Sequence, residues 1–110
     1  MIKIPRGKGE RIVLASPRYP FVAWAVKGAP DDPGVYALYA GQKLVCVGMA
    51  DGVRLTIRAR LLALLKRAGD LPTITHYQWE ISSRPEETRA RYLKELGGRA
   101  MDCDQFAPPN

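Results

Sequence analysis

The chain has 110 residues and a mass of 12.2 kDa, which is enough for one domain with one hydrophobic core. Its apolar fraction of 46% and charged fraction of 25% are typical of a globular protein and argue against a disordered chain. The 17 Lys and Arg residues against 11 Asp and Glu residues give a net charge of +6, which permits a polyanionic partner without identifying one.

The first part of the chain is predicted to be an extension, residues 1–30, packed on a domain formed by residues 31–110. Residues 11–15 are expected to form a short strand or extended arm, and residues 20–26 a short helix with Pro in its first turn. Phe21 and Trp24 in that helix are expected to pack on the domain rather than to bind a ligand. A turn follows over residues 29–34, which are rich in Pro, Asp and Gly.

A hairpin and a helix come next. The apolar runs 35–39 and 43–47 are separated by Ala40-Gly41-Gln42, which is short enough to force an antiparallel hairpin. From residue 53 to residue 68, apolar residues recur at helical spacing with cations between them. This pattern predicts a basic amphipathic helix that Gly69 ends.

The last predicted elements are a third strand and a second helix. Residues 73–81 are rich in β-branched and aromatic side chains, which favour a strand. The helix is expected to open at residues 82–87, with Pro85 in its first turn and Glu86 and Glu87 at the positive end of its dipole. The order predicts an α/β (α+β) domain with a small, mostly antiparallel three-stranded sheet flanked by helices.

The cysteines and the apolar runs bear on location. Cys46 and Cys103 lack the close Cys or Cys/His spacing of a redox or zinc motif, so we expect reduced thiols in a cytoplasmic protein. Residues 1–8 contain no apolar core of a signal sequence. No apolar run reaches the roughly 20 residues that cross a bilayer, so no membrane partner is expected.

Specific residues stand at defined places in this order of elements. Gly34-Val35-Tyr36 opens the first hairpin strand, Cys46-Val47-Gly48 ends the second, and Arg60-Leu61 lies on the next helix. The pattern resembles the GIY-YIG nuclease superfamily, in which Gly-Ile-Tyr and Tyr-Ile-Gly occupy the hairpin strands and an Arg follows on the helix. The ending Pro108-Pro109-Asn110 is similar to one common in that family, so the resemblance covers about residues 30–110.

The resemblance implies a β-β-α-β-α layout and a metal-dependent endonuclease that hydrolyses DNA. Tyr36 would accept or relay the proton of the attacking water. Arg60 would offset the negative charge that builds on the phosphate. A carboxylate would hold Mg²⁺ or Mn²⁺. The family's position for that Glu is occupied by Arg89, and Glu86, one turn earlier on the same helix face, is the nearest substitute.

Two further positions depart from the family pattern. Cys46 replaces the second Tyr, and a small buried residue is the expected role for it. Leu64 stands where a His often follows the Arg by one helical turn. His76, the single His of the chain, could compensate for that loss in space, although a packed strand residue is the ordinary interpretation.

Three functions remain open at this point. The first is a GIY-YIG-type DNA endonuclease with an altered site, and the second is a catalytically inactive nucleic-acid-binding module that retains the fold. The third is a protein-interaction subunit in which the fold is only a scaffold. In the first two, cations of the basic amphipathic helix predicted over residues 53–68 are expected to contact phosphates. These cations are Arg54, Arg58, Lys66 and Arg67.

Overall fold

The central strand of the sheet is β2, Gly34–Ala40, in a computed structural model that describes residues 14, 16–67, 73–97 and 101–103. β3, Lys43–Ala50, and β4, His76–Ile81, pair with β2 on either side, both antiparallel. Gly41 adopts φ 64° and with Gln42 makes the tight turn between β2 and β3. The predicted hairpin and third strand therefore lie side by side.

Two strands of two residues each complete the sheet. β1, Tyr19–Pro20, pairs antiparallel with β4, and β5, Met101–Asp102, pairs parallel with β3. The order is β1-β4-β2-β3-β5, so the sheet has five strands where three were predicted. The α+β class is confirmed, with four antiparallel strands and three helices in the described residues. Two-residue strands carry too little pattern for periodicity to detect.

Three helices surround the sheet: α1, Ala23–Val26, α2, Ile57–Lys66, and α3, Pro85–Leu96. α2 begins later than predicted because Thr56 caps it, its hydroxyl accepting a hydrogen bond from the Ala59 N–H. α3 begins with Pro in its first turn, as predicted, and ends at Gly97, whose φ is 61°. No helix of the described residues is long and apolar enough to cross a membrane.

Both faces of the sheet are buried. One face, here the α2 face, joins Tyr36, Leu38 and Cys46 to side chains of α1 and α2. The opposite α3 face joins Val35, Tyr39 and other strand residues to Tyr92 and Leu96 of α3. Residues of the predicted extension take part, since β1 extends the sheet and α1 packs against α2.

The expectation of two reduced thiols is wrong, because Cys46 and Cys103 form a disulfide. β5 pairs beside β3 with Met101 opposite Cys46, which brings Cys103 to a Cα–Cα distance of 5.0 Å from Cys46. That spacing is normal for a bridge. The sequence could not indicate it, because 57 residues separate the two cysteines and the strand that joins them has two residues.

Reducing the bridge is expected to destabilise the protein by up to about 4 kcal/mol, from the entropy of closing a loop of this length in the unfolded chain. Urea unfolding with and without dithiothreitol measures the effect. The matched control is Cys46→Ala/Cys103→Ala, whose midpoint should not respond to reductant. Two titratable thiols in unreduced, denatured wild-type protein would contradict the pairing.

Candidate functional site

Tyr36 lies at the middle of the sheet, on its α2 face. It is opposite Gly48 of β3 and Trp79 of β4 in the register of the strands. The side chain is fully buried and belongs to the same cluster as Ile57 and Leu61 of α2. The phenol that the resemblance would use for proton transfer is therefore covered by the helix that follows the hairpin.

The two motif glycines allow close packing around this strand. A Cβ on Gly48 would stand 2.5 Å from both Cζ and Oη of Tyr36, so the phenol ring lies directly over the Gly48 backbone. A Cβ on Gly34 would collide with the carbonyl oxygen of Glu80 and lie 2.8 Å from Cδ1 of Ile57. Both positions require glycine because neighbouring groups occupy the space of a side chain.

The other motif residues separate between the two faces. Val35 and Val47 are buried on the α3 face, in the cluster that includes Tyr92. Cys46 is buried on the α2 face and bonded to Cys103, so a covalent link occupies the place where the resemblance expects a second Tyr. The remaining motif residue, Asn110, lies outside the described residues.

Arg60 lies on one flank of α2. Arg67 lies on the same side at the C-terminal end of the helix, about two helical turns away. Both are half-buried, and the Nε atom of each is buried. Arg58 lies on the other flank, where its Nε donates a 2.9 Å hydrogen bond to the carbonyl of Ala29. Arg58 therefore links α2 to the segment that follows α1.

Arg54 and Lys66 are the exposed cations of this region. The carboxylate of Asp51 accepts hydrogen bonds from the backbone N–H groups of Val53 and Arg54, at 2.9 and 3.0 Å, and so shapes the loop before α2. These bonds, that of Arg54 first, hold the pKa of Asp51 below its ordinary value. Asp51 therefore remains ionised while it orders the loop.

The stretch around α2 is uniformly basic. Five of the 17 Lys and Arg residues and none of the 11 Asp and Glu residues lie from Gly52 to Arg67. We call this stretch the basic segment, and its own charge is +5. Since its apolar residues Ile57, Leu61 and Leu64 are buried against the sheet, its charged positions lie on the flanks and outer side of α2.

Glu86 lies away from Tyr36 and Arg60. It is exposed in the first turn of α3, the helix that packs on the opposite face of the sheet. It borders a hollow of about 350 Å³ with Asp51 and Glu87, walled by Met49, Arg84 and Pro85. Within the described ranges no group of three or more His, Cys, Asp or Glu side chains is placed to hold a metal ion. Arg89, at the family's Glu position, is half-buried on the same helix.

His76 also lies apart from Tyr36. It is the first residue of β4, where it pairs with Tyr39 of β2. Its Nδ1 is 2.8 Å from the hydroxyl of Thr75. Strand alternation places its side chain on the face opposite to that of Tyr36. It does not fill the space that the missing family His would occupy near Leu64, which is buried on the α2 face.

Sequence reasoning missed a partly buried polar pair on the α3 face. The Tyr92 hydroxyl donates a 2.6 Å hydrogen bond to Oε1 of Glu80. Burial, followed by the bond to Glu80, raises the pKa of Tyr92 to about 12. Spacing along the chain gave no signal, because the pair forms only when α3 packs back on β4.

The prediction that Trp24 packs on the domain is wrong. Phe21 packs in the α2-face cluster as expected, but Trp24 exposes 74% of its surface. The buried residues of α1 are Ala25 and Val26, so the helix turns its smaller side chains inward. A short helix of four residues has no periodicity from which its inner face could be predicted.

Comparisons of this chain with protein-family models, with curated proteins and with solved structures gave no match.

Gly48→Ala is expected to lower the free energy of unfolding by about 1–3 kcal/mol, because the added methyl overpacks against the Tyr36 ring. Urea unfolding followed by circular dichroism measures it. Gly28→Ala is the matched control, since a Cβ there would meet only the Ala25 carbonyl oxygen, at 3.4 Å. Equal losses in the two variants would contradict the packing of Tyr36 on Gly48.

The Tyr92–Glu80 pair predicts a loss of stability in alkali. The folded pKa is raised above the unfolded value near 10, so the contribution is complete below pH 10 and falls as the pH rises toward about 12. Unfolding free energies measured at pH 8, 10 and 11.5 should fall less steeply in Tyr92→Phe. Glu80→Gln should keep most of the slope, because burial is the larger cause. A slope unchanged in Tyr92→Phe would contradict this assignment.

Proposed function

We propose that the protein binds nucleic acid, DNA in the first place, through the basic segment. The observation that carries this proposal is a run of five cations with no acidic residue among them, from Gly52 to Arg67, on α2 and the loop before it. Cations gathered on one element release condensed counterions from phosphates together, whereas scattered cations mainly improve solubility. The family resemblance of the sequence favours DNA as the partner.

The fold supports this role by holding the segment rigid. Asp51 orders the loop before α2, Thr56 caps the helix, and Arg58 is bonded to Ala29 in the segment after α1. A fixed array of cations loses little conformational entropy when it binds a polyanion. Arg54 and Lys66 are exposed at the two ends of the array and are the first candidates to contact phosphates.

A metal-dependent DNA endonuclease of the GIY-YIG type is the second candidate. The observation in its favour is that Tyr36, the proposed proton acceptor, and the helix that carries Arg60 lie on the same face of the sheet. Mg²⁺ or Mn²⁺ would be its cofactor and Glu86 the proposed ligand, although Glu86 belongs to the helix on the opposite face. Binding ranks first because it uses exposed cations, whereas hydrolysis requires substrate to reach a buried hydroxyl.

A cytoplasmic location stays a prediction, and the paired cysteines bear on it. Disulfides persist mainly in oxidising compartments, so the Cys46–Cys103 bridge favours such a compartment over a reducing one.

The scaffold hypothesis, in which the domain serves only to bind another protein, would leave the run of cations in the basic segment without a role.

Binding should depend steeply on salt. Fluorescence anisotropy with a labelled duplex, from 50 to 300 mM NaCl, should give a straight line of log affinity against log salt. Lys66→Ala should weaken binding at low salt and lower the slope by about one, as expected when one phosphate contact is lost. Lys43→Ala removes an exposed lysine outside the basic segment and should leave the slope unchanged. Equal effects would contradict the proposed surface.

Plasmid nicking in EDTA, Mg²⁺ and Mn²⁺ separates the two candidates. If the protein is an enzyme, cleavage should require the metal and should fall by about 100-fold or more in Tyr36→Phe and Arg60→Ala. Glu86→Ala then tests the proposed metal ligand. Clean protein that shifts DNA in a gel but never cuts it would leave binding as the function, and failure to bind at low salt would overturn both candidates.

A further inference from the structure

Trp24 exposes a large aromatic surface beside two buried residues of its helix. It is 74% exposed, although Ala25 is 9% and Val26 0% exposed. Single exposed apolar residues are common in proteins, so exposure alone assigns no role. Two further observations bear on this tryptophan: how its helix is held, and which charges surround it.

The helix that carries Trp24 is fixed to both the sheet and the basic segment. The Tyr77 hydroxyl, from β4, donates a 2.7 Å hydrogen bond to the carbonyl of Ala25, the residue next to Trp24. Arg58 of α2 donates through Nε to the carbonyl of Ala29 and through its backbone N–H to that of Pro30, both at 2.9 Å. Trp24 therefore stands on a rigid support bonded to α2.

The two surfaces are close enough for one partner to contact both. Ala29 follows Trp24 by five residues, and a chain of that length spans at most about 18 Å even when fully extended. The Arg58 guanidinium is bonded to Ala29, so it lies near the end of that span. The helical turn of α1 shortens the distance further.

The exposed cation nearest to Trp24 along the chain is Lys27, three residues on, about one helical turn. Arg18 lies over the ring of Tyr39, which belongs to the α3 face, and Asp31 and Asp32 are exposed just beyond Pro30. The apolar surface is small, since Val22, 40% exposed, is the other large hydrophobic residue exposed on this part of the chain. A stable protein partner usually needs about 800 Å² on each side, with an apolar centre. An isolated indole beside Lys27, on a support bonded to the basic segment, suits a base of a nucleic-acid strand better.

We propose that Trp24 is a stacking platform for an unpaired base, in a strand whose phosphates are held by the basic segment. The inference rests on the proposed nucleic-acid binding and adds the class of ligand, a single-stranded or locally unpaired nucleic acid. Bases within a duplex are covered on both faces by their neighbours, whereas an unpaired base can place one face on the indole ring. Every base has such a face, so the preference is for strandedness and not for sequence.

The test compares single-stranded oligothymidine with a duplex of mixed sequence, by anisotropy at low salt. Trp24→Ala should weaken binding of the single strand by about 5- to 150-fold and leave duplex affinity unchanged. Trp24→Phe keeps an aromatic face and should retain most of the affinity, whereas Trp24→Leu keeps apolar area without a ring and should resemble Trp24→Ala. Ile81→Ala, at an apolar residue of β4 that is 51% exposed and lies outside both α1 and the basic segment, is the matched control and should change neither affinity.

A second measurement reports on the indole directly. The chain has two tryptophans, so Trp79→Phe leaves Trp24 as the single one. Its fluorescence should be quenched by oligothymidine in a saturable way, with the same dissociation constant that anisotropy gives. Circular dichroism of every variant checks that the fold is intact.

Different failures are distinguishable. Wild-type binding of both ligands with no effect of Trp24→Ala would overturn the stacking role and leave nucleic-acid binding standing. An equal loss for single strand and duplex would also overturn it, because the contact would not be specific for an unpaired base. Sedimentation that shows a dimer abolished by Trp24→Ala would assign the indole to a second copy of the chain instead. No binding of either ligand would overturn both proposals.

Discussion

The contact of the Tyr36 ring with the backbone of Gly48 is the constraint on which the α2 face depends. The ring needs the space that a Cβ at Gly48 would fill. Gly34, at the start of β2, leaves similar space for the side chain of Ile57. With both glycines in place, α2 settles on the centre of the sheet through Ile57, Leu61 and Leu64. The position of the helix, and of every charge it carries, follows from this packing.

The basic segment combines a structural and an electrostatic role without conflict. Its apolar side is buried on the sheet, so its cations lie on the flanks and the outer side of α2. Arg58 shows how the roles meet, because its guanidinium ties α2 to α1 while its charge adds to the array. The α3 face is different in kind, since its polar groups, such as Tyr92 and Glu80, bond to one another.

The elements that were predictable are those with strong local patterns. The tight turn at Gly41, the spacing of leucines in α2 and the Pro and Glu residues that open α3 all act within a few residues. β1, β5 and the Cys46–Cys103 bridge depend on contacts between distant parts of the chain, and no short pattern encodes them. The candidate site divides in the same way. The sequence placed Tyr36 in the hairpin and α2 directly after that hairpin. It could not show that α3 would carry Glu86 to the other face of the sheet, or that Trp24 would point outward.

The disulfide has a topological consequence beyond its contribution to stability. It closes α2, β4 and α3 into one covalent ring, from which the rest of the chain extends as two tails. A protease that cuts the ring once cannot release a fragment, because the two pieces stay joined through sulfur. The helix that carries the basic segment and the strand that supports α1 therefore remain tethered to β3 after any single cut between the two cysteines.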